Sequence, residues 1–249
     1  MDSTWFRRFK AAQDGRLRLV CFPHAGGSAS AFLRLARELP DGLDVLSVQY
    51  PGRQDRRHEE RSTSLHTLAE AVADALGPDT VEPYAFFGHS MGAVVAYETA
   101  RLLAQRDLPG PTRLFLSGRG APTPLPGVHD RLSTDADVLA AVRRLGGTDQ
   151  AVLQDPELLD MVMPVLRADY RALGSYTWRG GAPLDTPVTV LAGDRDPVVT
   201  VQEATEWRDH TRGDFSLEVF SGGHFYLDDH VRGVATVIAD GLLADATAG

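Results

Sequence analysis

The chain has 249 residues, 43% of them hydrophobic, and a formal net charge of -9 at neutral pH. That length and apolar fraction suffice for a sizeable core in one domain, and the acidic balance argues against general affinity for nucleic acid or an anionic membrane surface. The single cysteine, Cys21, excludes an intrachain disulfide, residues 1–8 lack the apolar core of a signal peptide, and no run approaches the ~20 apolar residues of a membrane span, so a reducing cytoplasm is expected.

Short β-rich runs at 17–22, 45–50, 84–87, 113–117, 188–192 and 217–220 alternate with helical patterns, which predicts a mostly parallel α/β sheet. Crossover helices are expected at 31–39, 65–76, 91–106, 201–210 and 231–243, with 244–249 as a frayed tail. The second of these has Leu65, Leu68, Ala69, Val72 and Leu76 at helical spacing behind a Ser62-Thr63-Ser64 capping region. Residues 53–61 carry Arg53, Arg56, Arg57 and Arg61 among Asp55, Glu59 and Glu60; they read as a solvated loop, or as a patch for an acidic partner. From 119 to 185 the alternation breaks. A Pro-rich stretch, 121–126, leads to one helix at 135–145 that stops at Gly146-Gly147, and to another at 156–173 whose internal Pro164 should kink it. Residues 119–185 therefore read as a helical insertion in a core made of 1–118 and 186–249.

The segment Gly88-His89-Ser90-Met91-Gly92 directly follows the apolar run Tyr84-Ala85-Phe86-Phe87. A serine flanked by glycines at a strand-to-helix turn reads as a nucleophile elbow, because small neighbours let strand and helix pack closely while Oγ projects outward. The plainer alternative is an ordinary helix N-cap. A serine hydroxyl attacks well only beside a base that is itself oriented by a carboxylate. His224 lies in a glycine-flanked loop after one strand, and Asp194 and Asp196 follow another, so Ser90, Asp196 and His224 fall in the chain order of α/β-hydrolases. Asp196 is preferred because it extends further past its strand towards His224; Asp194 would then brace the turn. Acyl transfer also requires N–H donors for the developing oxyanion. Met91 offers one at the elbow, and Ala25 offers the second from loop 23–28, which lacks the Lys-Ser/Thr ending of a P-loop and the spacing of a dinucleotide site. His24 and His89 lie near the site and read as structural, and no metal-ligand spacing links the histidines, so no metal is expected.

Five blocks now stand in order: Cys21-Phe22-Pro23-His24-Ala25-Gly26-Gly27-Ser28-Ala29, Gln49-Tyr50-Pro51-Gly52-Arg53, the elbow, Gly193-Asp194-Arg195-Asp196, and Gly222-Gly223-His224-Phe225. Together they resemble the type II thioesterases that accompany modular polyketide and nonribosomal peptide synthases, over nearly the whole chain. The resemblance implies an α/β-hydrolase fold: a mostly parallel central sheet flanked by helices, with a helical lid inserted after the sixth strand. It also implies hydrolysis of acyl thioesters on the phosphopantetheine arm of acyl or peptidyl carrier proteins, removing stalled or aberrant acyl groups. Ser90 would be the nucleophile, His224 the base, Asp196 its orienting acid, and the N–H groups of Ala25 and Met91 the oxyanion hole. The phosphopantetheine arrives on the carrier, so the resemblance implies no metal or organic cofactor of the chain's own, and a free-standing monomer is expected. The interval 119–185 holds seven arginines against nine acidic residues, so carrier recognition does not rest on a generally basic lid.

Other readings use the same residues. A carboxylesterase or lipase would apply this machinery to oxygen esters, an acyltransferase would pass the acyl group to an alcohol or amine, and a non-catalytic relative would only bind.

Overall fold

The computed structural model describes residues 4–12, 17–77, 83–125, 127–148 and 150–248; Pro126 and Gly249, which fall within the expected Pro-rich stretch and tail, lie outside them. Seven strands form one sheet: β1 (Phe6–Lys10), β2 (Arg18–Phe22), β3 (Asp44–Val48), β4 (Tyr84–His89), β5 (Leu114–Ser117), β6 (Val188–Gly193) and β7 (Phe215–Phe220), in the order β1-β3-β2-β4-β5-β6-β7. All neighbours are parallel except β1, which pairs antiparallel with β3. From β2 to β6 almost every strand residue is buried, as expected of strands covered on both faces. Edge strand β7 instead alternates between half-buried and exposed positions.

Helices α1 (Leu33–Glu38) and α9 (Val231–Ala248) cover one face, where Phe32, Leu35, Val234 and Ile238 pack on Leu19, Cys21 and Phe87. On the other face lie α2 (Leu65–Leu76) and α3 (Met91–Gln105), packed on Val20, Phe22 and Phe86. Helix α2 starts where the sequence places it, with the Ser64 side chain accepting from the Thr67 N–H at 3.3 Å.

The excursion holds α4 (Asp135–Leu145), α5 (Gln150–Gln154) and α6 (Pro156–Ser175). Thr134 and Asp137 form a capping box on α4, and Asp155 caps α6 ahead of Pro156. Helix α6 is continuous from Pro156 to Ser175 with Pro164 inside it. Its later turns bury Val165, Leu166, Asp169 and Leu173, whereas Leu158 and Met161 stand exposed before the proline. Arg119 ties the start of the excursion down through a two-point, largely buried pair with Asp130, at 2.8 and 2.6 Å.

Several expectations are corrected. The insertion leaves the sheet after the fifth strand, not the sixth: four strands are legible before residue 119, and the structure adds only β1. That strand escapes sequence pattern because Phe6-Arg7-Arg8-Phe9-Lys10 is mostly basic and is held at the sheet edge by pairing with β3. The expected helix at 201–210 divides into α7 (Val201–Thr205) and a 3-10 turn, Glu206–His210, and a short helix, α8 (Tyr226–Asp229), precedes α9. The tail does not fray at Ala244; its alanine-rich sequence continues α9 to Ala248. Loop 53–61 is not simply solvated, for Arg53 and Arg56 are only 4% and 6% exposed.

What positions the candidate site is a close approach of backbones at the elbow. A Cβ on Gly92 would collide with the Phe22 carbonyl and lie 2.7 Å from the Pro23 oxygen, and one on Gly88 would lie 2.6 Å from Ala93 Cα. Neither neighbour is a side chain that can swing aside. Gly92→Ala is therefore expected to lower stability by at least ~2 kcal/mol, as overpacking a rigid site does. Gly42→Ala, with open space around it, should leave the urea-unfolding midpoint nearly unchanged.

Candidate active site

Ser90 sits between β4 and α3 with φ 56° and ψ -116°, a left-handed conformation that is costly for a residue with a Cβ. Its N–H donates to the Ser117 carbonyl at 2.8 Å, so the end of β5 holds the strained turn. Although Ser90 precedes the helix, its side chain makes no cap hydrogen bond. The hydroxyl instead lies 2.9 Å from His224 Nε2.

His224 Nδ1 lies 2.8 Å from Asp196 Oδ2, and that carboxylate fixes the proton on Nδ1, leaving Nε2 to accept from Ser90. The other Asp196 oxygen accepts from the Val198 N–H at 2.8 Å. All three side chains are buried. The structure thus brings together Ser90, His224 and Asp196. Asp194 is placed elsewhere: its Oδ1 accepts from the Gly222 N–H at 2.8 Å, tying the acid loop to the loop that carries His224.

The loop expected to supply the second oxyanion donor lies against the elbow, since β2 ends beside β4 with Phe22 opposite Gly88. Within it the Gly27 N–H donates to the His24 carbonyl at 2.9 Å, closing a turn around Ala25 and Gly26. Among the described residues no protein acceptor engages the N–H of Ala25, and that of Met91 heads α3, where helix geometry supplies no partner. Both remain available to a bound oxygen.

Two further imidazoles crowd the site. The His89 ring lies 5.1 Å from that of His224, and Phe225 packs against His24, His89 and His224 at 4.8, 5.2 and 5.2 Å between centroids. His89 Nδ1 bonds to Ser117 Oγ at 2.9 Å, and that hydroxyl meets Tyr226 OH at 2.5 Å. Burial, reinforced by the nearby His224 and Arg53, pushes His24 down to about 4. Burial, then His224 and His24, pushes His89 well below the usual histidine range. Neither competes for a proton near neutral pH. Ser117, Phe225 and Tyr226 therefore shape the site although their sequence context singles out none of them for this task; only the position of Phe225 beside His224 hinted at it.

Residues 17–242 match the family described as Thioesterase domain. The chain belongs to that family. Its members hydrolyse thioesters, and the sheet with helices on both faces is the α/β-hydrolase fold expected of them. Thioesterase PikA5 of Streptomyces venezuelae is 52% identical over 240 residues, covering 96% of this chain and 85% of that protein. The gramicidin S biosynthesis protein GrsT of Aneurinibacillus migulanus is 39% identical over 224 residues, covering 90% and 88%. The solved structure of the type II thioesterase BorB, from the borrelidin biosynthetic cluster, superposes with a TM-score of 0.86 at 41% identity, covering 96% of this chain and 98% of that one.

The histidine environment sets a pH dependence of stability within this family member. His24 and His89 take up protons less readily in the folded chain than in the unfolded one, so their contribution is complete above pH ~6.5 and is lost as pH falls towards the folded values. Urea-unfolding midpoints measured between pH 7.5 and pH 5 should fall with acidification, and His24→Gln should flatten that slope. An identical slope in the variant would remove His24 from the account.

Proposed function

We propose that this chain is a type II thioesterase that hydrolyses acyl groups from the phosphopantetheine arm of acyl or peptidyl carrier proteins, clearing stalled or aberrant chains from a modular polyketide or nonribosomal peptide synthase. The observation that carries the chemistry is the run of contacts from Ser90 through His224 to Asp196, at 2.9 and 2.8 Å. The carrier-bound substrate is supported by relatives named for such biosynthesis, including GrsT and BorB. This work belongs in the cytoplasm.

In this reading Ser90 Oγ attacks the thioester carbonyl carbon as its proton passes to His224 Nε2. Asp196 keeps the imidazole oriented and stabilises its charge. The N–H groups of Met91 and Ala25 receive the oxyanion, and such donors are worth ~2.7 to 4 kcal/mol each in related chemistry. The tetrahedral intermediate collapses, the C–S bond breaks, and the departing pantetheine sulfur takes the proton from His224. A water molecule then gives a proton to His224 and attacks the acyl ester; Ser90 leaves with that proton and the carboxylic acid is released. Residues 119–185 serve as the lid, with exposed Leu158 and Met161 on α6 offering apolar surface to an acyl chain.

Ser90→Ala should lower turnover of a carrier-bound acyl thioester by on the order of 10³-fold or more while leaving the fold intact. Asp196→Asn should lower kcat by ~10³- to 10⁴-fold, and Asp194→Asn by less than ~10-fold. Equal losses in the two aspartate variants would return the acid's identity to open choice. A panel of carrier-bound acyl chains, run beside the matching oxyesters, tests the substrate class: thioester preference is expected, and clear oxyester preference would replace this reading with a carboxylesterase.

A further inference from the structure

Asp169 is the fully buried carboxylate whose position the hydrolytic chemistry does not require. It lies on α6, at 0% exposure, yet its Oδ2 accepts from the Gly26 N–H at 2.7 Å and from Arg53 Nη2. Its Oδ1 has no protein partner among the described residues. A buried ion pair with one oxygen unsatisfied is a poor way to stabilise a helix contact, since apolar side chains of similar volume do so without losing hydration.

The pair does something else well: it holds the loop around Ala25. Five backbone groups flanking that residue are engaged. The Pro23 carbonyl accepts from Tyr50 OH at 3.4 Å and the His24 carbonyl from the Gly27 N–H at 2.9 Å. The Gly26 N–H goes to Asp169, and the Gly27 carbonyl accepts from Arg53 Nε at 3.2 Å. Arg53 is itself fixed by the Pro51 carbonyl at 2.8 Å and lies 5.1 Å from the centre of the Tyr50 ring. Leu166, three residues before Asp169 and on the same side of α6, packs over Gly26, where a Cβ would strike it. The amide of Ala25 has no protein acceptor among the described residues, and backbone groups on both sides of it are held.

We propose that Asp169, acting with Arg53 through the Gly26 N–H, is a positioning residue that aims the Ala25 N–H at the oxyanion, so that the hole is complete only while α6 is seated on the loop. This rests on the assignment of Ala25 as an oxyanion donor under the thioesterase reading. The effect belongs to the transition state, where charge reaches the carbonyl oxygen, and not to ground-state binding of the thioester.

The test begins with wild-type enzyme, a carrier-bound acyl thioester and a fluorophosphonate serine label; absence of both hydrolysis and labelling would overturn the thioesterase reading itself. With that activity in hand, Asp169→Ala is expected to lower kcat by ~10²-fold, the scale of one lost oxyanion donor, with KM within about threefold of wild type. Affinity for a trifluoromethyl ketone analogue, which Ser90 attacks to give an oxyanion, should fall in parallel, while affinity for a thioether analogue, which has no carbonyl oxygen, stays unchanged. Asp169→Asn keeps an oxygen for both donors and should recover most of the kcat. Should Asp169→Ala fail to fold, the double variant Arg53→Met with Asp169→Leu removes both charges and fills their volume, and the same loss of kcat is expected. Wild-type kcat in a folded variant lacking the acceptor, equal losses in the Ala and Asn variants, or a loss confined to KM would each overturn the proposal.

Discussion

The contact on which the site depends is the one between the first turn of α3 and the last residue of β2. Gly92 rests directly on the Phe22 and Pro23 carbonyls, nearer than any side chain would allow. That approach compels the sharp turn at Ser90, whose left-handed backbone costs of order 1–3 kcal/mol and is met by the surrounding buried strands. It also fixes the distance between two stretches of chain that have little else in common. The loop leaving β2 and the elbow leaving β4 become neighbours because two glycine-sized gaps close between strand and helix. The end of β2 and the elbow are then held side by side without a linker having to place them.

Much of this was legible in the sequence because it is written at short range. The elbow, the acid loop and the histidine loop each declare themselves within a few residues of a strand, and the strands themselves are plain apolar runs. The three groups meet because parallel strands all deliver their C-terminal loops to one edge. What remained hidden depends on partners far away. Arg53 and Arg56 look like solvated charge in a polar loop; they are buried because Asp169, 116 positions from Arg53, and the Gln49 carbonyl receive them. The Ser117–Tyr226 contact spans 109 positions. No local periodicity records such pairings, and β1, whose composition suits a surface arm, becomes a strand only through β3.

The site is also ordered by which groups are denied charge. Three imidazoles stand within a few ångströms, and a proton on one raises the cost of a proton on the next. Burial withholds it from His24 and His89. Of the three, His224 is the one paired with Asp196, so the imidazole that becomes cationic in the proposed acyl transfer is the one with a carboxylate at its back. Phe225 packs against all three rings.

Cys21 takes on meaning in this light. It lies in the middle of the sheet with its sulfur buried, and burial pushes its thiol well up from the usual range. An enzyme that hydrolyses thioesters frees a thiol at every cycle and works beside a continual supply of reactive sulfur. A second nucleophilic sulfur near Ser90 would intercept acyl groups by thioester exchange. By holding its sole thiol protonated inside a strand, the chain leaves the proposed Ser90 ester as the covalent resting place for the acyl group.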